Sequence, residues 1–215
     1  MAAAYTLYGS FLSAPTYKVG LMFALCGLDF DYRHIDLAKG QHKSPEFLRI
    51  NRYGQVPAIV HDGFNMCQAN TILEYIAGQT GKFAPANDRD RQRIREWLVW
   101  ESDRLEPGIN RSRFFERFAK PDQAVVDYHR KWAEMGLEVL NDLLDGQQFL
   151  VGTQPTIADI AVFGVVAHMA EARFDITAWP HVKAWWDRIA ALPGFRLPYD
   201  LLPRTDKDWA DKDAG

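Results

Sequence analysis

Three short stretches of the chain place polar groups where a folded backbone leaves hydrogen-bonding capacity open. Ser13, Ala14 and Pro15 set a hydroxyl at the start of a helical pattern. Serine is favoured as an N-cap, and proline belongs in the first helical turn. A hydroxyl there caps the helix, and it is also placed to donate to an anion at the positive helix end. Ser10, three residues earlier, competes for that role. Gly54, Gln55, Val56 and Pro57 put a proline at a strand start, where a trans proline is common. Gln68, Ala69 and Asn70 open another helix, whose first amides are available to a carboxylate. His42 and Lys43 lie in a polar loop. The six histidines show no metal-ligand spacing, so no metal is expected. Neither a Cys-x-x-Cys motif nor a glycine-rich phosphate loop is present.

The elements that position these residues are short at first. Tyr5–Gly9 is β-prone and ends at glycine. Val19, Met22, Phe23 and Cys26 recur at helical spacing up to Gly27, a C-terminal cap. Residues 30–35 alternate as a second strand. Ser44 and Pro45 begin a short helix. Residues 56–60 read as a third strand, and Asp62-Gly63 turns the chain into a fourth, residues 64–67. A helix follows from Ala69. Residues 81–88 read as a linker. Beyond it the patterns are helical: Ile94, Trp97, Leu98, Glu101 and Leu105 trace one helix. Val125, Tyr128, Trp132, Met135, Val139 and Leu143 trace another, and two more follow. The expected organisation is a βαβ-α-ββα domain over residues 1–80 and an all-helical domain over 89–215. The tail after Leu202 is charged, with Trp209 able to dock.

Composition narrows the classes. The 215 residues are 47% hydrophobic and 25% charged, which excludes a disordered chain and a coiled-coil rod. A net charge of −3 argues against nucleic acid as a partner. Apolar runs are too short to span a membrane. Two cysteines are too few for a disulfide scaffold, which predicts a reducing, cytoplasmic location.

The βαβ-α-ββα unit followed by a helical half resembles a cytosolic glutathione S-transferase, with a bacterial, serine-type (theta- and delta-like) active-site loop at Ser13-Ala14-Pro15. The resemblance covers roughly residues 4–197. It implies an α/β thioredoxin-like N-terminal domain with a mixed four-stranded sheet, and an all-α C-terminal domain. It implies that Ser13, or else Ser10, stabilises the thiolate of bound glutathione for attack on an electrophile. A free thiol has a pKa near ~8.5, and lowering it by about two units takes roughly 2.7 kcal/mol. A hydroxyl bonded to a charged group supplies about 1.5–3 kcal/mol of this. Pro57 matches the family's cis-proline, so Gln55 and Val56 are expected to pair with the glutathione backbone. Gln68, Ala69 and Asn70 are expected at its glutamyl end, although Ala69 replaces the family's serine. His42 and Lys43 are expected at its glycyl end. Trp100, Arg111, Arg113, Phe114 and Phe115 are expected to line the acceptor site for a small apolar or anionic electrophile. Thr156 to Asp159 resembles the family's buried capping box. A homodimer is implied as well. A glutathione-dependent disulfide or peroxide reductase and a non-catalytic binding protein are the alternative readings.

Overall fold

The structure, a computed structural model, describes residues 4–202. The charged tail after Leu202, Trp209 included, lies outside them. The chain forms two compact units. One holds the described residues up to Thr80 together with those from Pro193, and the other runs from Gly81 to Leu192.

The first unit has a thioredoxin-like α/β fold. Its strands are β1 (Tyr5–Gly9), β2 (Phe30–His34), β3 (Ala58–His61) and β4 (Phe64–Cys67), in the order β2-β1-β3-β4. β1 pairs with β2 in parallel and with β3 antiparallel, and β3 pairs antiparallel with β4. The helices α1 (Ala14–Cys26) and α3 (Ala69–Thr80) pack on each other. α2 (Pro45–Ile50) contributes Phe47 to a separate cluster with Ile35 and Ala58, against which Tyr8, Val56 and Cys67 pack. Helix boundaries follow their caps. Ser13 Oγ accepts from Thr16 N–H, and Gly27, at φ 68°, donates to Ala24 O at 3.0 Å to close α1. Asp62 and Gly63 both take positive φ, as the tight β3–β4 hairpin requires. The third strand begins at Ala58, two residues later than the sequence pattern suggests, because Pro57 has no N–H to give to the ladder; the Val56–Pro57 bond is cis.

Residues from Pro193 fall in this unit instead of ending the helical one. Leu201 and Leu202 are buried, and a Cβ on Gly20 of α1 would lie 3.1 Å from Leu201 Cδ2. Tyr17 Oη donates to Arg196 O at 2.8 Å. This second layer of cover explains why α1 is apolar nearly all round instead of amphipathic.

The second unit is helical. It contains α4 (Asp88–Trp100), α5 (Glu106–Arg117), α6 (Gln123–Leu143), α7 (Ile157–Val166) and α8 (Pro180–Ala190). A π-helical turn, Glu101–Leu105, joins α4 to α5. Pro107 explains it: proline has no N–H for a carbonyl one turn back, and its ring crowds that carbonyl, so a wider turn relieves both. α5 and α6 approach closely, since a Cβ on Gly108 would lie 2.6 Å from Ala133 N. α7 is buried along its whole length. Its capping box forms as the spacing predicts, with Asp159 Oδ2 accepting from Thr156 N–H at 2.8 Å. No helix among the described residues is long and apolar enough to cross a membrane.

Candidate functional site

In the first unit the loop from β1 to α1 carries both candidate serines, and their surroundings differ. Ser10 is 1% exposed, and its Oγ accepts from Leu12 N–H at 3.3 Å. Ser13 is only half-buried. Its Oγ accepts from Thr16 N–H at 3.2 Å, which uses a lone pair and leaves the hydroxyl proton to donate. Tyr8 is half-buried against Phe47, with ring centroids 6.4 Å apart, and burial raises its pKa above the usual phenol value. It stays a neutral packing residue.

Residues 51–57 form a braced turn. Asn51 is 1% exposed; its Nδ2 donates to Gln55 O at 2.6 Å and its Oδ1 accepts from Tyr53 N–H at 3.0 Å. Lys43 Nζ reaches the same turn and donates to Gly54 O at 2.8 Å. Gly54 sits at φ 57°, and a Cβ there would lie 2.9 Å from His42 O. Lys43 is thus held beside Gln55 and Val56 while its ammonium keeps two further donors. His42 shares the 3₁₀ turn Gln41–Lys43. Its Nδ1 is buried without a hydrogen-bond partner, and burial, then the Lys43 charge, lowers its pKa below the usual histidine value.

Gln68 precedes α3 at φ 70°, a left-handed conformation unusual for a residue with a side chain. Thr71 Oγ1 donates to the carbonyls of both Cys67 and Gln68, at 2.8 and 2.9 Å. Gln68 itself is exposed, and Ala69 and Asn70 are half-buried at the first turn. Within this unit, the β1–α1 loop, the cis-proline turn and the start of α3 all lie at strand ends or connections: Gly9 ends β1, Ala58 starts β3, and Cys67, its register partner, ends β4. Sequence patterns gave no sign of Asn51 or Thr16.

The expected acceptor residues all lie in the second unit. Trp100 lines an open groove of about 410 Å3 with Gln92, Arg95, Glu96, Val99, Asp103 and Arg104. Arg111 and Phe114 are exposed and Phe115 is half-buried. Arg113 is buried, and its Nε donates to Glu171 at 3.1 Å, a carboxylate it shares with Arg117. That guanidinium is committed to an internal ion pair, unlike its expected place in a ligand pocket. Among the described residues no group of His, Cys, Asp and Glu is arranged to hold a metal ion.

Comparison with known proteins agrees with this architecture. The family described as "Glutathione S-transferase, N-terminal domain" matches residues 3–78, and "Glutathione S-transferase, C-terminal domain" matches residues 103–193. Glutathione S-transferase 3 of Zea mays is 32% identical, over 92% of this chain and 94% of its own. The disulfide-bond oxidoreductase YfcG of Escherichia coli is 31% identical, over 84% of this chain and 89% of its own. A crystal structure of a glutathione S-transferase from Xanthobacter autotrophicus is 35% identical, with a TM-score of 0.85 over 91% of this chain and 98% of that one. The chain belongs to the glutathione S-transferase family.

Proposed function

We propose that this member of the glutathione S-transferase family binds glutathione on its first unit and transfers the thiolate to a small apolar electrophile. The observation that carries the reading is the Ser13 hydroxyl: half-buried, capping α1 through its lone pair, with its proton left to donate. Bound glutathione releases its thiol proton to solvent. The thiolate accepts a hydrogen bond from Ser13, which keeps its own proton. The sulfur lone pair then forms an S–C bond, and the leaving group departs with its electron pair. Val56 and Gln55, braced by Asn51, pair with the peptide backbone. Gln68, the α3 amides and Asn70 hold the glutamyl carboxylate. Lys43 and His42 hold the glycyl carboxylate.

Likeness to the E. coli disulfide-bond oxidoreductase supports a second reading, in which the same thiolate attacks a disulfide sulfur and releases a thiolate. Calorimetry with glutathione, followed by parallel assays with a chloronitroaromatic and a disulfide, tests both. Heat and turnover of the aromatic, lost in Ser13→Ala, is the expected result. Turnover of the disulfide alone replaces transfer by reduction. No heat at millimolar glutathione overturns both.

We also assign a homodimer. On α6, Val125, Tyr128, Met135, Val139 and Leu143 are exposed, with half-buried Trp132 among them. Their spacing of three and four makes one apolar stripe, with Lys131 and Glu138 beside it. An antiparallel second copy sets lysine against glutamate twice along that stripe. Cys26 and Cys67 are thiols outside any disulfide, which suits a cytoplasmic, reducing location.

A further inference from the structure

Thr16 lies on the first turn of α1 and is fully buried. Its Oγ1 accepts from the backbone N–H of Ser10 at 3.3 Å, and its own N–H donates to Ser13 Oγ at 3.2 Å. Ser13 N–H donates in turn to Ser10 O at 2.9 Å. Both serines of the loop are therefore tied to one threonine, one through its side chain and one through its backbone. The fit is close: a Cβ on Gly9 would lie 2.1 Å from Thr16 Cγ2 and 2.8 Å from its Oγ1. Glycine at position 9 is what admits the threonine side chain against the end of β1.

We propose that Thr16 is a positioning residue for Ser13: its hydroxyl pins the start of the loop, so that the Ser13 hydroxyl is held in one direction when thiolate is bound. The inference rests on the reading of Ser13 as the thiolate donor. The physical reason is preorganisation. A donor fixed before the charge develops stabilises that charge without reorganising, whereas a loop free to shift spreads the donor over poorer geometries. Without the Thr16 acceptor, the buried Ser10 N–H loses its partner, and the start of the loop is no longer tied to α1 by a side chain, while the Leu12–Ser10 turn and the backbone bonds at Ser13 remain.

Thr16→Val keeps the branched shape beside Gly9 and replaces the hydroxyl, and with it the acceptor, by a methyl. Thr16→Ser keeps the acceptor and removes the methyl. In Thr16→Val, ultraviolet titration should show the bound glutathione thiol raised by about half a unit, roughly threefold less thiolate at a fixed lower pH. Binding of S-methylglutathione, which has no thiol, should be unchanged. Thr16→Ser should titrate like the parent. Amide exchange at Ser10 in the ligand-free protein should quicken in Thr16→Val and not in Thr16→Ser. A merely structural threonine would lower stability and leave the thiol titration where it was. If Thr16→Val does not fold, Thr16→Ala is the second acceptor-free variant. An unshifted thiol in the acceptor-free variant, or an equal shift in Thr16→Ser, overturns the inference while Ser13→Ala still shifts the thiol. If Ser13→Ala itself leaves the thiol unmoved, the functional reading falls and the inference falls with it.

Discussion

Trp185 Nε1 donates to Asp159 Oδ1 at 2.9 Å, tying α8 to the capping carboxylate of α7. Neither residue is exposed to solvent. The same carboxylate accepts from Leu150 N–H at 2.9 Å and from Thr156 N–H at 2.8 Å. Burial raises its pKa above the usual aspartate range, against the pull of these donors. Asp159 thus joins a helix start, a preceding loop and a neighbouring helix within the second unit.

Asp159→Ala should therefore cost more than a surface cap. It leaves several buried donors without a partner, each worth about 1–3 kcal/mol, so a loss above about 2 kcal/mol is expected in denaturant unfolding. Activity per folded molecule should hardly change. A variant of normal stability that has lost turnover would contradict the structural role.

His168 gives a pH dependence with a definite sign. It is buried, and its Nδ1 lies 3.0 Å from Gly164 O, so that nitrogen carries the proton of a neutral ring. Burial first, then the charge of Arg113, lowers its pKa to about 3. Below about pH 6.5 the unfolded chain takes up a proton that the folded chain refuses. Native stability should fall with acid at up to about 1.4 kcal/mol per pH unit from this group, between its unfolded and folded pKa values. Comparing unfolding free energies at neutral pH and near pH 4.5 in the parent and His168→Gln checks this. The parent should lose about 2 kcal/mol more than the variant. Parallel losses would remove His168 from the account.

The caps and turns were legible in the sequence because they are local. Ser13, Gly27, Ser44, Asp62-Gly63 and the Thr156–Asp159 box act within a few residues of themselves. α6 shows where such reading stops. Its large apolar residues mark a helix correctly, but the buried face is Ala133, Gly136, Leu137 and Leu140. Two of those four are small, because α5 comes close at Gly108, and small residues do not stand out in a hydrophobic pattern. The π-helical turn was hidden for a similar reason, since Pro107 tells that a helix is perturbed but not how the turn adjusts. Asn51 and Thr16 bond to backbone groups, and no residue type at the far end betrays them.

The exposed stripe on α6 leads to a test of assembly. Met135 is 57% exposed near its middle. Met135→Glu places a charge where a second copy is assigned, while touching nothing in the buried face. Sedimentation should show the parent as a dimer and the variant shifted to monomer. Since the site residues lie elsewhere in the chain, glutathione affinity per subunit should stay level. A parent that sediments as a monomer, or a variant that stays dimeric, removes the stripe from the interface.

Gln68 offers a prediction in which stability and binding move apart. Its φ of 70° is one that glycine adopts freely and a residue with a Cβ adopts at a cost. Gln68→Gly relieves that strain but adds freedom to the unfolded chain, so stability should change by no more than about 1 kcal/mol, in either direction. The exposed amide side chain has no other structural duty that its surroundings suggest, because Thr71 holds the Gln68 carbonyl and not its side chain. If that side chain contacts the glutamyl end of glutathione, its removal should weaken binding by about tenfold, the worth of one hydrogen bond to a charged group at the low end. The contact is equal in ground and transition states, so the turnover number should change little. Ala69→Ser, one residue on, should act in the opposite direction by supplying a hydroxyl beside the same amides. Calorimetry of both variants decides the matter. If neither substitution moves glutathione affinity while Ser13→Ala still raises the pKa of the bound thiol, the glutamyl end lies away from the start of α3. The strained conformation of Gln68 then has to be explained by the β4–α3 connection alone.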